Sequence, residues 1–312
     1  MATKFRYPTG VRALLVEETA RRRRIESRFV GLLERARFRE VLLPIIDYVE
    51  PYSTLVDRDA ARQSYRFVDR EGELVAIRSD FTPMVARALA PALRKEDLPL
   101  RIFYRGDVIR VEATRLGINR EIFQIGAEVI GDDSVEADVD VILLAASCLA
   151  DFGIRPLVVY NDTSIAAALV ASAPEAAHAV RAALLSKRSS DLESVRDSID
   201  ARALALITRL AAGVATLDDV AAYGPTAAAA ERLRKIEAGV RGIDSAEFVL
   251  HLDDIDAAAA YYTGIRFRIY SHDARTRLAQ GGRYDALYGR FGTPAAAIGF
   301  TFTIDDVDEV NR

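Results

Sequence analysis

The chain has 312 residues, half of them hydrophobic and 28% charged, with a net charge of -4 at pH 7. That is enough apolar residue for one large domain or two modest ones, and the acidic balance weighs against a dedicated nucleic-acid binder. No apolar run approaches the roughly 20 residues that span a bilayer. The start, MATKFRYPTGVRALL, lacks the apolar core of a secretory signal. The single cysteine, Cys148, can form no intramolecular disulfide, so a reducing cytoplasm is expected.

Residues 11–37 predict an amphipathic helix, with Val11, Leu14, Ile25, Phe29, Leu32 and Leu33 at helical spacing. The run Arg21–Arg24 inside it fits a solvated helix face better than a nucleic-acid patch. FREVLLPII predicts a strand, in which Pro44 marks an edge or an interface because proline cannot donate to a ladder. SYRFVDREGELVAIRSD predicts a hairpin turning at Asp69–Gly72, and residues 84–95 predict a short helix. Two strands, in LRIFYRGDVIRVE and REIFQIGAEVIG, flank a loop at Ala113–Asn119. A helix is expected from Asp133 to about Phe152. Asp133 and Glu136 would form a capping box, and Val135, Val139, Ile142 and Leu149 would be its buried side. PLVVYND predicts a strand. From Thr163 to about Gly242 the alanine-rich chain reads as helical, with a break at Gly224–Pro225. Strands return in EFVLHL, IRFRIY and LAQGG. This order predicts an α+β fold around a mainly antiparallel sheet flanked by helices. Residues 1–154 and 243–312 would form a discontinuous core domain, and 155–242 a mostly helical insertion.

Strand period 2 puts Gln124, Gly126 and Glu128 on one face and Phe123, Ile125, Ala127 and Val129 on the other; Arg110 and Glu112 likewise share a face. The polar faces suit either a pocket floor or a solvated surface with charge pairs. Asp80 and Thr82 could accept hydrogen bonds from an ammonium group, although SDFTP is an equally apt helix cap. GGRYD, at 281–285, could let backbone approach a small ligand or could form a bulge before a helix in DALYGRF. His178, His251 and His272 are scattered, without zinc spacing. No P-loop, strand-borne G-x-G-x-x-G or G-x-S-x-G elbow occurs, so no cofactor and no nucleophilic triad is indicated.

In order along the chain, IRSDFT, GDVIRVEATRLGINREIFQIGAE, AAAAYYTGIRF, AQGGRYDALYGRFG and AAIGFTFTIDD resemble the signature stretches of histidyl-tRNA synthetase and its paralogues. The similarity runs from about Tyr7 to the end. It implies a class II aminoacyl-tRNA synthetase-like fold. It also implies that Asp80, Thr82 and Gln124 hold the α-amino group of histidine, that Glu128 and Tyr262 read the imidazole nitrogens, and that Tyr261 and Tyr284 complete the pocket. Arg110, with Glu112 beside it, corresponds to the site for the α-phosphate of ATP.

Departures from that pattern concern charge. The arginine and aspartate that precede the paired tyrosines in synthetases are matched by Ala257 and Ala260, Ile118 takes another arginine position, and Asp306 stands where an ATP-binding arginine ends the third motif. Thr303 replaces a glycine, and Asp80 replaces a glutamate. Fixed charges of this kind are worth about 3–4 kcal/mol each when removed singly, so adenylation is not expected. Arg283 is an alternative cation for the histidine carboxylate. Only six residues follow Asp306, so no anticodon-binding domain and no tRNA partner are expected. A synthetase-like core of this kind resembles the regulatory subunits of ATP phosphoribosyltransferase. That resemblance implies a non-catalytic homodimer paired with a short-form catalytic subunit and carrying histidine as effector of the first step of histidine biosynthesis. The rival readings are a minimal amino-acid-activating enzyme and a free-standing histidine sensor.

Overall fold

The computed structural model describes residues 7–53, 64–111, 119–255, 261–274 and 276–311. The chain forms two compact units. Residues 1–131, 286–295 and 299–312 make the first, and residues 132–285 and 296–298 the second. The expected Glu112, Ile118, Ala257 and Ala260 lie outside the described residues.

In the first unit, α1 (Val16–Arg35) buries Ile25, Phe29 and Leu33. It starts five residues later than the apolar spacing predicts, where Glu17 and Glu18 place negative charge on its first turn. The arginine run is not simply a solvated face. Arg21 pairs with Asp308 at 3.2 Å, Arg22 with Asp305, and Arg23 with Glu26. Asp305 lies in the first turn of α9 (Ile304–Val310), so the run fastens one helix to the acidic start of another.

FREVLLPII splits into two strands. β1 (Arg39–Glu40) joins β5 (Leu100–Ile109) in parallel, and β2 (Ile46–Tyr48) joins a separate sheet. Pro44 falls between them, where its missing N–H costs no ladder bond. The Arg78 guanidinium, donating to the carbonyls of Leu43 (3.0 Å) and Pro44 (3.4 Å), holds the crossing segment. The hairpin forms as predicted: β3 (Arg66–Val68) and β4 (Leu74–Ile77) pair antiparallel, and β2 takes the other side of β4. Its turn closes on Asp69, whose Oδ1 accepts the amides of Glu71 and Glu73 at 2.9 Å. α2 (Thr82–Leu89) is shorter than the predicted 84–95, passing into a single 3-10 turn that carries Pro91.

β5 and β6 (Glu121–Ile130) form a ten-residue antiparallel ladder, with β11 (Ala297–Thr303) on the far side of β6. DALYGRF forms no α-helix. Only a 3-10 turn at Tyr288–Arg290 is present, in keeping with glycines at 289 and 292.

The second unit opens with α3 (Val135–Ala150). Its cap is Ser134, whose Oγ accepts from the Ala137 amide at 3.1 Å, and not the predicted Asp133–Glu136 box. Its buried side carries Ala137, Asp138, Val141, Ile142, Ala145, Cys148 and Leu149, while Val135 and Val139 are half-buried. A buried aspartate in the stripe disguised its phase.

β7 (Pro156–Asp162) is flanked by β8 (Glu247–Leu250) in parallel and β9 (Ile265–Ser271) antiparallel, and β10 (Arg277–Arg283) continues beyond β9. Between β7 and β8 run α4 (Thr163–Ala171), α5 (Ala177–Ser186), α6 (Ala201–Ala211), α7 (Leu217–Ala222) and α8 (Ala227–Val240), with a 3-10 turn at Gly224–Thr226 at the predicted break. The fold class is α+β, as expected, although the strand pairing is mixed: β1 and β8 are parallel to their neighbours.

Candidate functional site

β6 decides between the two readings of its polar face. Every residue from Phe123 to Ile130 is buried, with Gln124 at 4% and Glu128 at 1% exposure, so this face is not a solvated one. Glu128 Oε1 accepts hydrogen bonds from Thr82 Oγ1 (3.0 Å) and from the Tyr104 hydroxyl (3.1 Å). Asp80 Oδ1 accepts the Thr82 amide at 3.1 Å where α2 begins, a local turn in place of the expected side-chain cap, since the N-cap residue is Phe81 and makes no such bond. Burial first, then the negative fields of Glu128 and Asp80, push the Tyr104 phenol well above its ordinary range, keeping it a neutral donor. Phe81 stacks on its ring at 4.5 Å. A β-carbon at Gly299 on β11 would overlap the Glu128 carboxylate, so only glycine leaves that carboxylate its seat.

Arg110, half-buried at the end of β5, donates through Nε to the Ser79 carbonyl at 3.3 Å. The first unit thus gathers Asp80, Thr82 and Glu128, and adds Tyr104, which the sequence analysis did not single out. A dry carboxylate already held by two hydroxyls suits an N–H donor or a cation.

The second unit gathers Tyr261, Tyr262 and Tyr284. Ring centroids lie 4.8 Å apart for Tyr261–Tyr262, 5.8 Å for Tyr261–Tyr284 (edge-on at 87°) and 6.5 Å for Tyr262–Tyr284. Tyr284 is 2% exposed, and the other two are half-buried. Thr263 clips the two segments together. Its amide donates to the Arg283 carbonyl (2.8 Å), and its Oγ1 accepts the Asp285 amide (2.9 Å). Both glycines of GGRYD lie in β10, and a β-carbon at Gly282 would come within 2.5 Å of the Ile265 carbonyl and 2.9 Å of the Tyr262 ring, so only glycine fits there. Three rings with hydroxyls at their tips offer a planar group both stacking faces and polar contacts.

Arg283 is not the spare cation. Its guanidinium is buried and its five N–H groups are all engaged. Nε and one N–H of Nη2 point to Asp138 Oδ1 (2.8 and 2.7 Å), and the other Nη2 hydrogen to the Ser134 carbonyl (3.3 Å). Nη1 donates to the Asp132 carbonyl (2.9 Å) and to Asp285 Oδ1 (3.1 Å). Burial works against its charge, but Asp138 and Asp285 outweigh burial and hold its pKa above the ordinary value.

A cavity of about 650 Å³ lies elsewhere in the first unit, lined by Pro44, Asp47, Met84, Arg87 and Phe291 among others; no expected site residue lines it. Among the described residues no group of His, Cys, Asp and Glu could hold a metal, and no helix is long and apolar enough to cross a membrane.

The family model for histidyl-tRNA synthetase matches residues 10–307. An ATP phosphoribosyltransferase regulatory subunit of Moorella thermoacetica is 33% identical, over 96% of this chain and 80% of its own length. The chain belongs to the histidyl-tRNA synthetase family, among the ATP phosphoribosyltransferase regulatory subunits. The regulatory subunit of Geobacter sulfurreducens is 32% identical over 95% of the chain and 71% of its own. The solved regulatory subunit/histidyl-tRNA synthetase of Bacillus halodurans C superposes with a TM-score of 0.84 at 25% identity, covering all of this chain and 84% of that one. A histidyl-tRNA synthetase from S. aureus, at 20% identity and a TM-score of 0.66, covers 97% of this chain and 72% of its own and shares the family's fold.

Proposed function

We propose that this chain is a non-catalytic regulatory subunit. It assembles in the cytoplasm with a short-form ATP phosphoribosyltransferase catalytic chain, raises that chain's activity, lets histidine inhibit it, and reads no tRNA. The observation that carries the reading is the nearly full-length similarity to relatives named as regulatory subunits. The charge pattern supports it: Ala257, Ile118 and Asp306 stand where the synthetase pattern has arginines, and Arg283 is committed within the second unit.

Histidine is the proposed effector. Glu128 and Tyr262 would read its imidazole, and Asp80, Thr82 and Gln124 its α-amino group. Coupling of about 1–3 kcal/mol between histidine and the active conformation suffices for useful inhibition. Homodimerisation is proposed around Pro44, where Leu42 (84%), Ile45, Ile46, Tyr48, Phe67 and Leu74 are apolar and exposed.

The test is reconstitution. A purified short-form catalytic chain is assayed with and without this protein, each with and without histidine. The rate should rise on adding the protein and fall again with histidine; an unchanged rate and unchanged histidine sensitivity overturn the proposal. Histidine-dependent pyrophosphate exchange by the chain alone should stay at background, and exchange at synthetase-like rates would restore the enzyme reading.

A further inference from the structure

Asp138 is 0% exposed, yet it is gripped from two sides. Arg283 takes its Oδ1, and Arg232 of α8 donates through Nε to its Oδ2 at 2.6 Å. The Arg232 Nη2 group also donates to the carbonyls of Asp133 (2.9 Å) and Ser134 (3.0 Å), so two guanidinium groups close around the start of α3. A second contact reinforces the first. Gly239 lies seven residues beyond Arg232, on the same face of α8, and a β-carbon there would come within 2.7 Å of the Val139 side chain, next to Asp138. α8 therefore packs on α3 at a distance that only glycine allows.

The other end of this knot brackets Tyr284. Arg283 precedes it, and Asp285 follows it with Oδ1 accepting from both Arg283 Nη1 and the Ala297 amide (2.9 Å). We propose that Asp138 is a positioning residue for the tyrosine cluster, acting through Arg283, and that Arg232 and Gly239 make the setting of Tyr284 depend on where α8 sits. A buried guanidinium with every N–H satisfied has one low-energy orientation. Moving α8 removes half of the pairing of Asp138, and the relief is a shift of Arg283 and of the residue bonded to it. The helical stretch thereby gains a mechanical connection to Tyr284. The ligand consequence rests on the histidine reading above; the structural consequence does not.

The experiment uses the full-length chain labelled with fluorotyrosine and followed by fluorine NMR, with resonances assigned through Tyr261→Phe, Tyr262→Phe and Tyr284→Phe. Arg232→Gln removes the charge, Arg232→Lys keeps it, and Gly239→Ala displaces α8 while changing no charge and raising helix propensity. Arg232→Gln and Gly239→Ala should each shift or broaden the Tyr284 resonance and leave exposed Tyr7 unmoved, with Arg232→Lys restoring most of the wild-type spectrum. Histidine affinity, measured by titration calorimetry, should fall about fivefold in Arg232→Gln and less in Arg232→Lys. A Tyr284 resonance that stays in place in both Arg232→Gln and Gly239→Ala overturns the proposal. Should Arg232→Gln fail to fold, Gly239→Ala decides alone. If the wild-type chain binds no histidine, the histidine reading fails, and the resonance of Tyr284 still decides the positioning role.

Discussion

In the first unit, Glu128 is 1% exposed and takes two bonds on Oε1 from the hydroxyls of Thr82 and Tyr104. In the second, Asp138 is 0% exposed and held by two arginines. Both are carboxylates in dry surroundings, but their partners differ in kind. The hydroxyl partners of Glu128 bring no positive charge to its Oε1, whereas those of Asp138 do. The arginines around Asp138 cancel its charge and leave nothing to offer a ligand. The first carries the proposed recognition site, and the second has the chemistry of a scaffold.

The sharpest way to break this contrast is to remove the scaffold carboxylate. Asp138→Ala removes the carboxylate that both arginines share, and breaking a buried pair in this way costs about 3–5 kcal/mol. Chemical denaturation should show a loss of that size; a loss below 1 kcal/mol would mean that water replaces the aspartate and that the knot is not dry. Next in size is Gly299→Ala. Its methyl would occupy the seat of the Glu128 carboxylate, and overpacking with nowhere to relax costs about 3 kcal/mol. Calorimetry should record a lower Tm, and histidine binding should vanish with it.

Tyr104→Phe is gentler. It keeps the ring stacked on Phe81 and removes one donor to a buried carboxylate, at about 2 kcal/mol. Because Glu128 would then need a replacement donor, the proposed histidine site offers one: added histidine should recover more stability in Tyr104→Phe than in the wild type. Equal recovery in the two would separate Tyr104 from the binding of histidine.

How much of this was legible in sequence follows from where each interaction lies along the chain. The hairpin at Asp69–Gly72 and the ladder of β5 with β6 are local and alternate cleanly, so they could be read directly. The start of α3 could not. Asp132, Asp133 and Ser134 compete for one cap, and which side chain turns inward depends on Arg283, about 150 positions away. The same distance hid the fate of Arg283. As text it is a cation beside a tyrosine; in the fold its five donors are spoken for. Tyr104 was invisible for a different reason: an aromatic in an apolar strand looks like core, and it is core apart from one hydroxyl. FREVLLPII misled because a continuous apolar run does not reveal that its two ends join different sheets.

An exposed ion pair gives the comparison its lower bound. Lys187, at the end of α5, donates to Asp253 at 2.6 Å, and this hydrogen bond holds the Asp253 carboxyl below its usual range. The folded pKa is depressed, so the stabilisation is fully present above the unfolded value, near 3.8, and is lost as pH falls through the folded value. The Lys187 side chain is 54% exposed, and water and salt screen the pair to roughly 0.5 kcal/mol or less. Asp253→Asn should therefore lower stability slightly at pH 7, and the difference from wild type should close as pH drops below 4 or salt rises toward 1 M. A deficit that persists at low pH and high salt would place its origin in packing rather than charge. The gap between this exposed ammonium–carboxylate pair and the buried carboxylate that Asp138 offers two guanidinium groups reflects both burial and the number of bonds lost.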